Sequence, residues 1–391
     1  MLHGGGFFKK SPPWSPKAKK RCGMVKDFKI DKVLIITTAL LVLFGLIMVY
    51  SSTMILAKER YGDSFYFLKK QVIWLVVGLI LTAVIASLKY PLYLKQKMVI
   101  TLLTLAIIGL IAVFFLGKVN DSYRWIRFAG FSLQPSEFAK IAVILYLAYV
   151  LSRKTNDVND TRKLLLLLIP FFIVEILILK EPDVGNFSLI LIVAGILLFA
   201  AGLRLRYFFY SFLLMVPVFF LFIKLNPDKM NRIVAFLNPD EYVSSYNFQT
   251  LQSIYAIGSG GIFGKGLGNS TQKLYFLPYA YSDFIYAIVG EEVGLVGSAA
   301  VIALFFIFLV RGLNIAKLSG NLYTYLLATG LTFMIVIQAM MHISVTLGIF
   351  PTKGIPLPFI SSGGSSLVAT LIISGIILNI SRHRKTVLLN D

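Results

Sequence analysis

Apolar runs close to the length that crosses a bilayer recur along most of this chain, and few architectures can absorb so many of them. They begin near residues 33, 69, 98, 136, 163, 185, 206, 283, 323 and 365. A helix rises about 1.5 Å per residue, so about 20 residues cross a hydrocarbon core roughly 30 Å thick. Lipid offers no partner to a backbone amide, so a spanning segment satisfies its own hydrogen bonds, and long continuous apolar runs do so as helices. The expected fold is an all-α integral membrane protein, a polytopic bundle of about ten transmembrane helices. Composition agrees: 57% of the 391 residues are hydrophobic, 14% are charged, and mean hydropathy is +0.80, far from a soluble average. The spans near 136 and 185 have the most polar starts, with Glu137 and Lys140 opening one and Asp183 preceding the other.

Orientation follows from the basic residues. With ten spans and the amino terminus inside, 23 of the 38 Lys and Arg fall inside and 15 outside or at outer ends. Both termini are then cytoplasmic, anchored by Lys9, Lys10, Lys17, Lys19, Lys20 and Arg21 at one end and by Arg382, Arg384 and Lys385 at the other. The formal net charge of +20 suits anionic inner-leaflet lipid; the charges lie beside apolar segments without a recognition module, which argues against nucleic acid. Residues 1–30 read as a disordered basic cytoplasmic tail, residues 31–385 as one membrane domain and residues 386–391 as a short cytoplasmic tail,. The first apolar segment is too long for a signal-peptide core and is expected to stay as a span. Cys22 is the single cysteine, so no internal disulfide forms,.

Two loops face outward in this topology, Gly117–Gln134 and the much longer 225–282 between helices 7 and 8. Connections of the second length are functional or disordered. Its apolar, glycine-punctuated stretch Gln252–Gly264 predicts an amphipathic helix on the membrane surface and a folded lid.

Four constellations share that face. Arg124 precedes the run Gln134-Pro135-Ser136-Glu137-Phe138-Ala139-Lys140. There Ser136 can cap a helix and Glu137 and Lys140 share a helical face, either as a functional pair or as a structural ion pair. Lys180-Glu181-Pro182-Asp183-Val184-Gly185 is a tight turn with two carboxylates, structural or substrate-contacting. Asp283 opens a span at its outer lip, where scarce water makes a carboxylate's basicity adjustable, so it is the leading catalytic candidate. On an ideal helix Glu291 lies roughly 80° and Glu292 roughly 180° around from it, so both cannot share its cavity and at least one faces a neighbour. Finally, Gly348–Ser366 is a Gly, Pro and Ser stretch that must line a cavity or pack in protein. Its amides, Ser365, Ser366 and Lys353 suit an anion such as pyrophosphate, while close helix packing is the bland reading.

Taken together, these runs resemble the SEDS family of FtsW, RodA and SpoVE over about residues 31–385. The carriers are Pro-Ser-Glu-Phe-Ala-Lys, Glu-Pro-Asp-Val-Gly, Ser-Asp-Phe-Ile-Tyr-Ala with its trailing Gly-Glu-Glu, and Pro-Thr-Lys-Gly followed by Leu-Pro-Phe-Ile-Ser and Gly-Gly-Ser-Ser. The resemblance implies ten spans and an inverting peptidoglycan glycosyltransferase of the bacterial cytoplasmic membrane. Such an enzyme polymerises lipid II at the outer face, with a class B penicillin-binding protein and other division or elongation membrane proteins as partners. It places the family's essential aspartate at Asp283 and its acidic and basic pair at Glu137 and Lys140. Lys353 resembles the division and sporulation branch more than the elongation branch. His342 stands where the family usually has Asn, and Ser362 where it often has Tyr.

On this reading Asp283 is the general base, with Arg124, Lys353 or a divalent cation, Mg or Mn, stabilising the leaving pyrophosphate. Glu137, Lys140, Arg124, Lys353, Ser365 and Ser366 are the substrate-binding candidates, and no metal ligand set is assigned. The competing class is a lipid II flippase or other carrier, which a ten-span body with intramembrane charges also describes.

Overall fold

The computed structural model describes residues 24–26, 30–88, 95–116, 123–128, 131–153, 160–207, 213, 217, 224, 227–237, 247–274, 276–383 and 385–387. Helices dominate. They are α1 (Lys32–Tyr61), α2 (Tyr66–Ser87), α3 (Gln96–Val113), α4 (Pro135–Arg153), α5 (Thr161–Lys180), α6 (Val184–Ala200), α7 (Pro227–Leu237), α8 (Phe248–Gly260), α9 (Ile285–Lys317), α10 (Leu322–Thr346) and α11 (Gly364–Arg382). Two small antiparallel pairs complete the described elements: β1 (Met24–Lys26) with β4 (Lys385–Val387), and β2 (Ile126–Phe128) with β3 (Phe131–Leu133).

Among these, α1, α2, α3, α4, α9, α10 and α11 are long and apolar enough to cross a membrane. The 17-residue α6 is apolar but shorter, and α5 carries Lys163, Glu175 and Lys180. The helices α1 to α6 and α9 to α11 each begin within three residues of an expected span start. The span expected near 206 lies largely outside the described residues, as do most of the two tails and residues 225–226 and 238–246 of the long loop. The β1 and β4 pairing lies at the edge of the two tails, with Val25 opposite Thr386; apolar periodicity carries no signal for it.

Local chemistry sets the helix ends. The Asp31 carboxylate accepts from Leu34 N at 3.0 Å and pairs with Arg311 at 2.6 Å, an N-cap that also ties α1 to α9. Gly62 ends α1 in the left-handed conformation, φ 72°, donating its N–H to Lys58 O,. Asp160, Asp183 and Asn321 cap α5, α6 and α10.

The centre of the bundle is α4, α10 and α11, buried on most sides. By contrast α2 buries only Gln71 and Gly78, which leaves apolar surface where lipid would lie. Its main protein neighbour is α11. Thr82 Oγ1 donates to Leu371 O at 2.9 Å, and Asn379 Nδ2 donates to the carbonyls of Ile85, Ala86 and Leu88 at 2.7 to 3.1 Å. These bonds satisfy the carbonyl end of α2 that a helix leaves open.

Residues 347–363 join α10 to α11 largely without helix, and Ile355, Leu357, Phe359, Ile360 and Ser361 in this segment are buried. The irregular backbone is thus packed in protein, as lipid requires. The helix expected in the long loop forms as α8. It packs on α9 and α10 through Thr250, Ser253, Ala256 and Gly260 and leaves Ile254 and Tyr255 exposed; Ser253 Oγ donates to Thr346 O at 2.7 Å.

Candidate active site

Asp283 sits in the turn just before α9. Its backbone is strapped to the 347–363 segment: Ser362 N donates to Tyr281 O at 3.0 Å and Ser361 Oγ to Ser282 O at 2.6 Å. A second strap fixes Ser361, whose Oγ accepts from Leu357 N at 2.8 Å. The carboxylate lies against Gly354: a Cβ built there would stand 3.1 Å from Oδ2 and 3.6 Å from Cγ. Hydrogen at this position therefore makes room for the acid.

Desolvation pushes the Asp283 carboxyl up from 3.8 to about 6, because burial penalises the charged form. A hydrogen bond from Ser282 and the Arg124 charge oppose that rise, and the Asp183 charge adds to it. Burial likewise pushes Glu181 up to about 8, with Asp183 raising it further and Arg124 opposing. The charges of Asp183 and Arg124 therefore act on both Asp283 and Glu181.

Arg124 braces the carboxylate turn. Its Nε donates to Glu181 O at 2.9 Å and its Nη2 to Pro182 O at 2.5 Å. Asp183 is a structural anchor: Oδ1 caps α6 through Asn186 N at 3.1 Å, and Oδ2 accepts from Asn186 Nδ2 at 2.9 Å and Gln134 Nε2 at 3.2 Å. Glu181 is buried, and neither carboxylate oxygen has a hydrogen-bond partner among the described residues. Ser365 is occupied by backbone, accepting from Gln134 N at 3.0 Å and donating to Ser132 O at 3.2 Å. Ser366 is buried, and its carbonyl accepts from Thr370 Oγ1. Lys353 is half-buried, and burial lowers its basicity. Among the described residues no ion pair engages it.

Glu137 and Lys140 pair at 2.9 Å with 1% and 2% of their side chains exposed. Lys140 also donates to Gln338 Oε1 at 2.9 Å, and Gln338 Nε2 donates to Pro356 O at 2.9 Å. One turn along α10, His342 Nδ1 meets Ile355 O at 2.8 Å; a carbonyl only accepts, so Nδ1 carries the proton. The ion pair on α4 therefore reaches Asp283 indirectly, through Gln338 and the backbone that follows Gly354. Gln338 and His342 escaped the sequence reading as site residues. The available signal was a single carboxamide and a single imidazole in a span whose other polar side chains are hydroxyls.

Glu291 and Glu292 do not join the site. Glu291 pairs with Lys265 at 2.7 Å and Glu292 with Lys273 at 2.9 Å. Among the described residues no group of three or more His, Cys, Asp or Glu converges as a metal site, so no step is assigned to Mg or Mn.

The geometry can do one kind of chemistry well. A desolvated carboxylate at a helix lip can accept a proton near neutral pH, and Lys353, the residue before Gly354, is a half-buried cation of the kind that suits an anion,.

Known proteins resemble this chain over most of its length. A family model described as Cell cycle protein, FTSW_RODA_SPOVE, matches residues 31–386. The probable peptidoglycan glycosyltransferase FtsW of Trichlorobacter lovleyi is 39% identical over 92% of this chain and 96% of its own. Stage V sporulation protein E of Bacillus subtilis is 37% identical over 91% and 98%. Among solved structures, a chain from a peptidoglycan synthase complex that coordinates polymerization and crosslinking superposes with a TM-score of 0.73 at 26% identity, covering 93% of this chain and 99% of that one. The rod shape determining protein RodA of Thermus thermophilus gives 0.66 at 25% identity, covering 91% and 97%. On family model, relatives and structures alike, the chain belongs to the FtsW, RodA and SpoVE family of cell cycle proteins.

Proposed function

We propose that this chain is a peptidoglycan glycosyltransferase that polymerises lipid II at the outer face of the bacterial cytoplasmic membrane, in septal wall synthesis. The observation that carries the reading is the Asp283 carboxylate, set against Gly354 and held up to about 6, with Lys353 next in sequence to Gly354 and in no ion pair among the described residues. Asp283 takes the proton from the 4-hydroxyl of an acceptor N-acetylglucosamine as that oxygen attacks C1 of the donor N-acetylmuramic acid. The C1 bond to pyrophosphate breaks, undecaprenyl pyrophosphate leaves, and the α-linked donor becomes a β-1,4 link. A single displacement inverts C1 and needs one base, unlike the paired carboxylates of a retaining enzyme. Lys353 meets the departing negative charge.

Arg124 supports this site by bracing the Glu181 and Pro182 carbonyls, and Glu137 with Lys140 supports it through Gln338. On this reading the basic flanks put both ends of the membrane domain on the cytoplasmic side, and the described part of the long loop, α7 with residues 247–274, belongs to an outer lid. The partner is a class B penicillin-binding protein; the superposition on a peptidoglycan synthase complex supports that reading.

The test is glycan polymerisation from lipid II by the purified chain with a cognate class B synthase whose transpeptidase is blocked. Wild type should make polymer, and Asp283→Asn should lose about 10²- to 10⁴-fold in rate. A folded Asp283→Asn protein at wild-type rate refutes the assignment. Movement of labelled lipid II across vesicles without joining would favour a carrier instead.

A further inference from the structure

Two fully buried carboxylates, Glu291 and Glu292, take no part in the reaction above, yet each is held by several polar partners. Both lie on α9, whose helical path breaks at Gly294, φ 69° and ψ −164°. In an unbroken helix Leu295 N would donate to Glu291 O and Val296 N to Glu292 O. Instead a segment of the long loop enters the gap and takes all four groups. Lys265 N donates to Glu291 O at 2.9 Å and Gly266 N to Glu292 O at 3.0 Å, while Leu295 N donates to Gly261 O at 2.9 Å and Val296 N to Ile262 O at 3.1 Å. Only glycine allows this approach: no Cβ fits at Gly264 against Glu292 O, or at Gly294 against Gly264 N, and Gly294 also needs positive φ.

The side chains then close over the inserted segment. Glu291 accepts from Lys265 Nζ at 2.7 Å, Thr271 N at 3.0 Å, Thr271 Oγ1 at 2.8 Å, Ser270 Oγ and Gln272 N. Glu292 accepts from Lys273 Nζ at 2.9 Å and from Ser51 Oγ of α1 at 2.6 Å. The clasp thus joins the loop, α9 and α1 at one point.

What hangs from that point is the half-helix Ile285–Val293, with Asp283 two residues before its start. Nine helical residues make a lever about 13 Å long. A tilt of about 5° at the clasp moves the far end by about 1 Å, and misplacing a reacting group by about 1 Å costs about 10²-fold in rate. We infer that Glu291 and Glu292 are positioning residues for Asp283, clasping residues 261–273 into the break of α9 and so fixing the tilt of the half-helix that presents the base. The inference rests on Asp283 acting as the base.

The test uses the full chain with its synthase partner. Glu292→Gln/Lys273→Met removes both buried charges together, so that neither is left unpaired. Lys265→Met is the milder variant, since Glu291 keeps its hydroxyl and amide donors. Three readouts are taken on folded protein: amide exchange at Lys265, Gly266, Leu295 and Val296; kcat and KM for lipid II; and the acid limb of kcat/KM. The expected result is exchange faster by about tenfold or more, as the bridging bonds open locally. With it, kcat falls about 10- to 100-fold and KM moves less than about threefold. The acid limb drops from about 6 toward an ordinary carboxylate value as Asp283 gains water, Arg124 and Asp183 being unaltered. Lys265→Met should move all three in the same direction by less. Faster exchange with unchanged kcat and an unchanged acid limb overturns the proposal, because the clasp would then serve folding alone. A folded Asp283→Asn enzyme at wild-type rate overturns the base reading instead, and the exchange readout keeps the two failures apart.

Discussion

Gly354→Ala tests the site more sharply than removing the acid itself, because it displaces the Asp283 carboxylate without deleting it. The new methyl would stand 3.1 Å from Oδ2, 3.6 Å from Cγ and 3.9 Å from Oδ1. Ordinary carbon to oxygen contact begins near 3.4 Å, so the carboxylate must retreat by about 0.3 Å. Gly354 is outside the positive-φ region, so alanine adds no backbone strain there and the effect falls on the acid. If about 1 Å of misplacement costs about 10²-fold, a third of that predicts roughly a 3- to 10-fold loss in kcat, or about 0.7 to 1.4 kcal/mol. The methyl also displaces water, which favours the neutral acid. A base works only when ionised, so the acid limb of kcat/KM should rise above its position near 6, and the loss should be greatest at low pH. The assay is initial polymerisation rate against pH at saturating lipid II for kcat and well below KM for kcat/KM, with thermal unfolding as a control. Wild-type kcat and an unmoved acid limb in a normally folded variant would refute the placement of Asp283 against Gly354.

Three further outcomes follow from the same geometry. Asp283 has a folded pKa above its ordinary value, so its ionised form destabilises the fold above about pH 6, and that penalty vanishes as pH falls through 6 toward 4. Asp283→Asn should therefore melt higher than wild type at pH 7 by about 1 to 2 kcal/mol, allowing for partial exposure, with the gap closing near pH 4; calorimetry across that range decides it. Gln338→Met keeps volume but strips Lys140 and Pro356 O of a partner, so melting should show a loss of about 1 to 3 kcal/mol and the polymerisation rate should fall with it. Glu137→Gln leaves Lys140 buried without its counter-ion and should cost about 3 to 5 kcal/mol, whereas Glu137→Gln/Lys140→Met should recover most of that, as read by unfolding in detergent.

Much of this was legible in the sequence because lipid imposes a simple rule. Apolar length alone places the start of each described span, from Lys32 to Gly364, within three residues. The site was legible in part. Residue type marked Asp283, Lys353 and the Glu181 turn; in the structure the Arg124 and Asp183 charges reach both Asp283 and Glu181, and Asp283 lies against Gly354, the residue after Lys353. What composition could not show is which polar groups are already spent. Ser365 and Asp183 look like ligand groups in a motif, yet their atoms are held by Gln134, Ser132 and Asn186. Glu137 and Lys140 look like a binding pair, yet they face Gln338 from inside the bundle. An ideal helix running through Asp283 would keep Glu291 and Glu292 from both sharing its cavity, but α9 starts only at Ile285 and breaks at Gly294. A break refilled by a distant segment depends on tertiary contact, and local periodicity carries no trace of it.

The pairing of α2 with α11 bears on how the protein is made. At about 5 to 20 residues per second, a ribosome needs roughly 15 to 55 s to go from the end of α2 to the start of α11. Through that interval α2 already sits in the bilayer while its main neighbour has yet to be translated, and the Ile85, Ala86 and Leu88 carbonyls wait for Asn379. Assembly of the bundle is therefore closed by its final helix, and a nonsense codon before Gly364 would strand the second helix of the chain as well as delete the last.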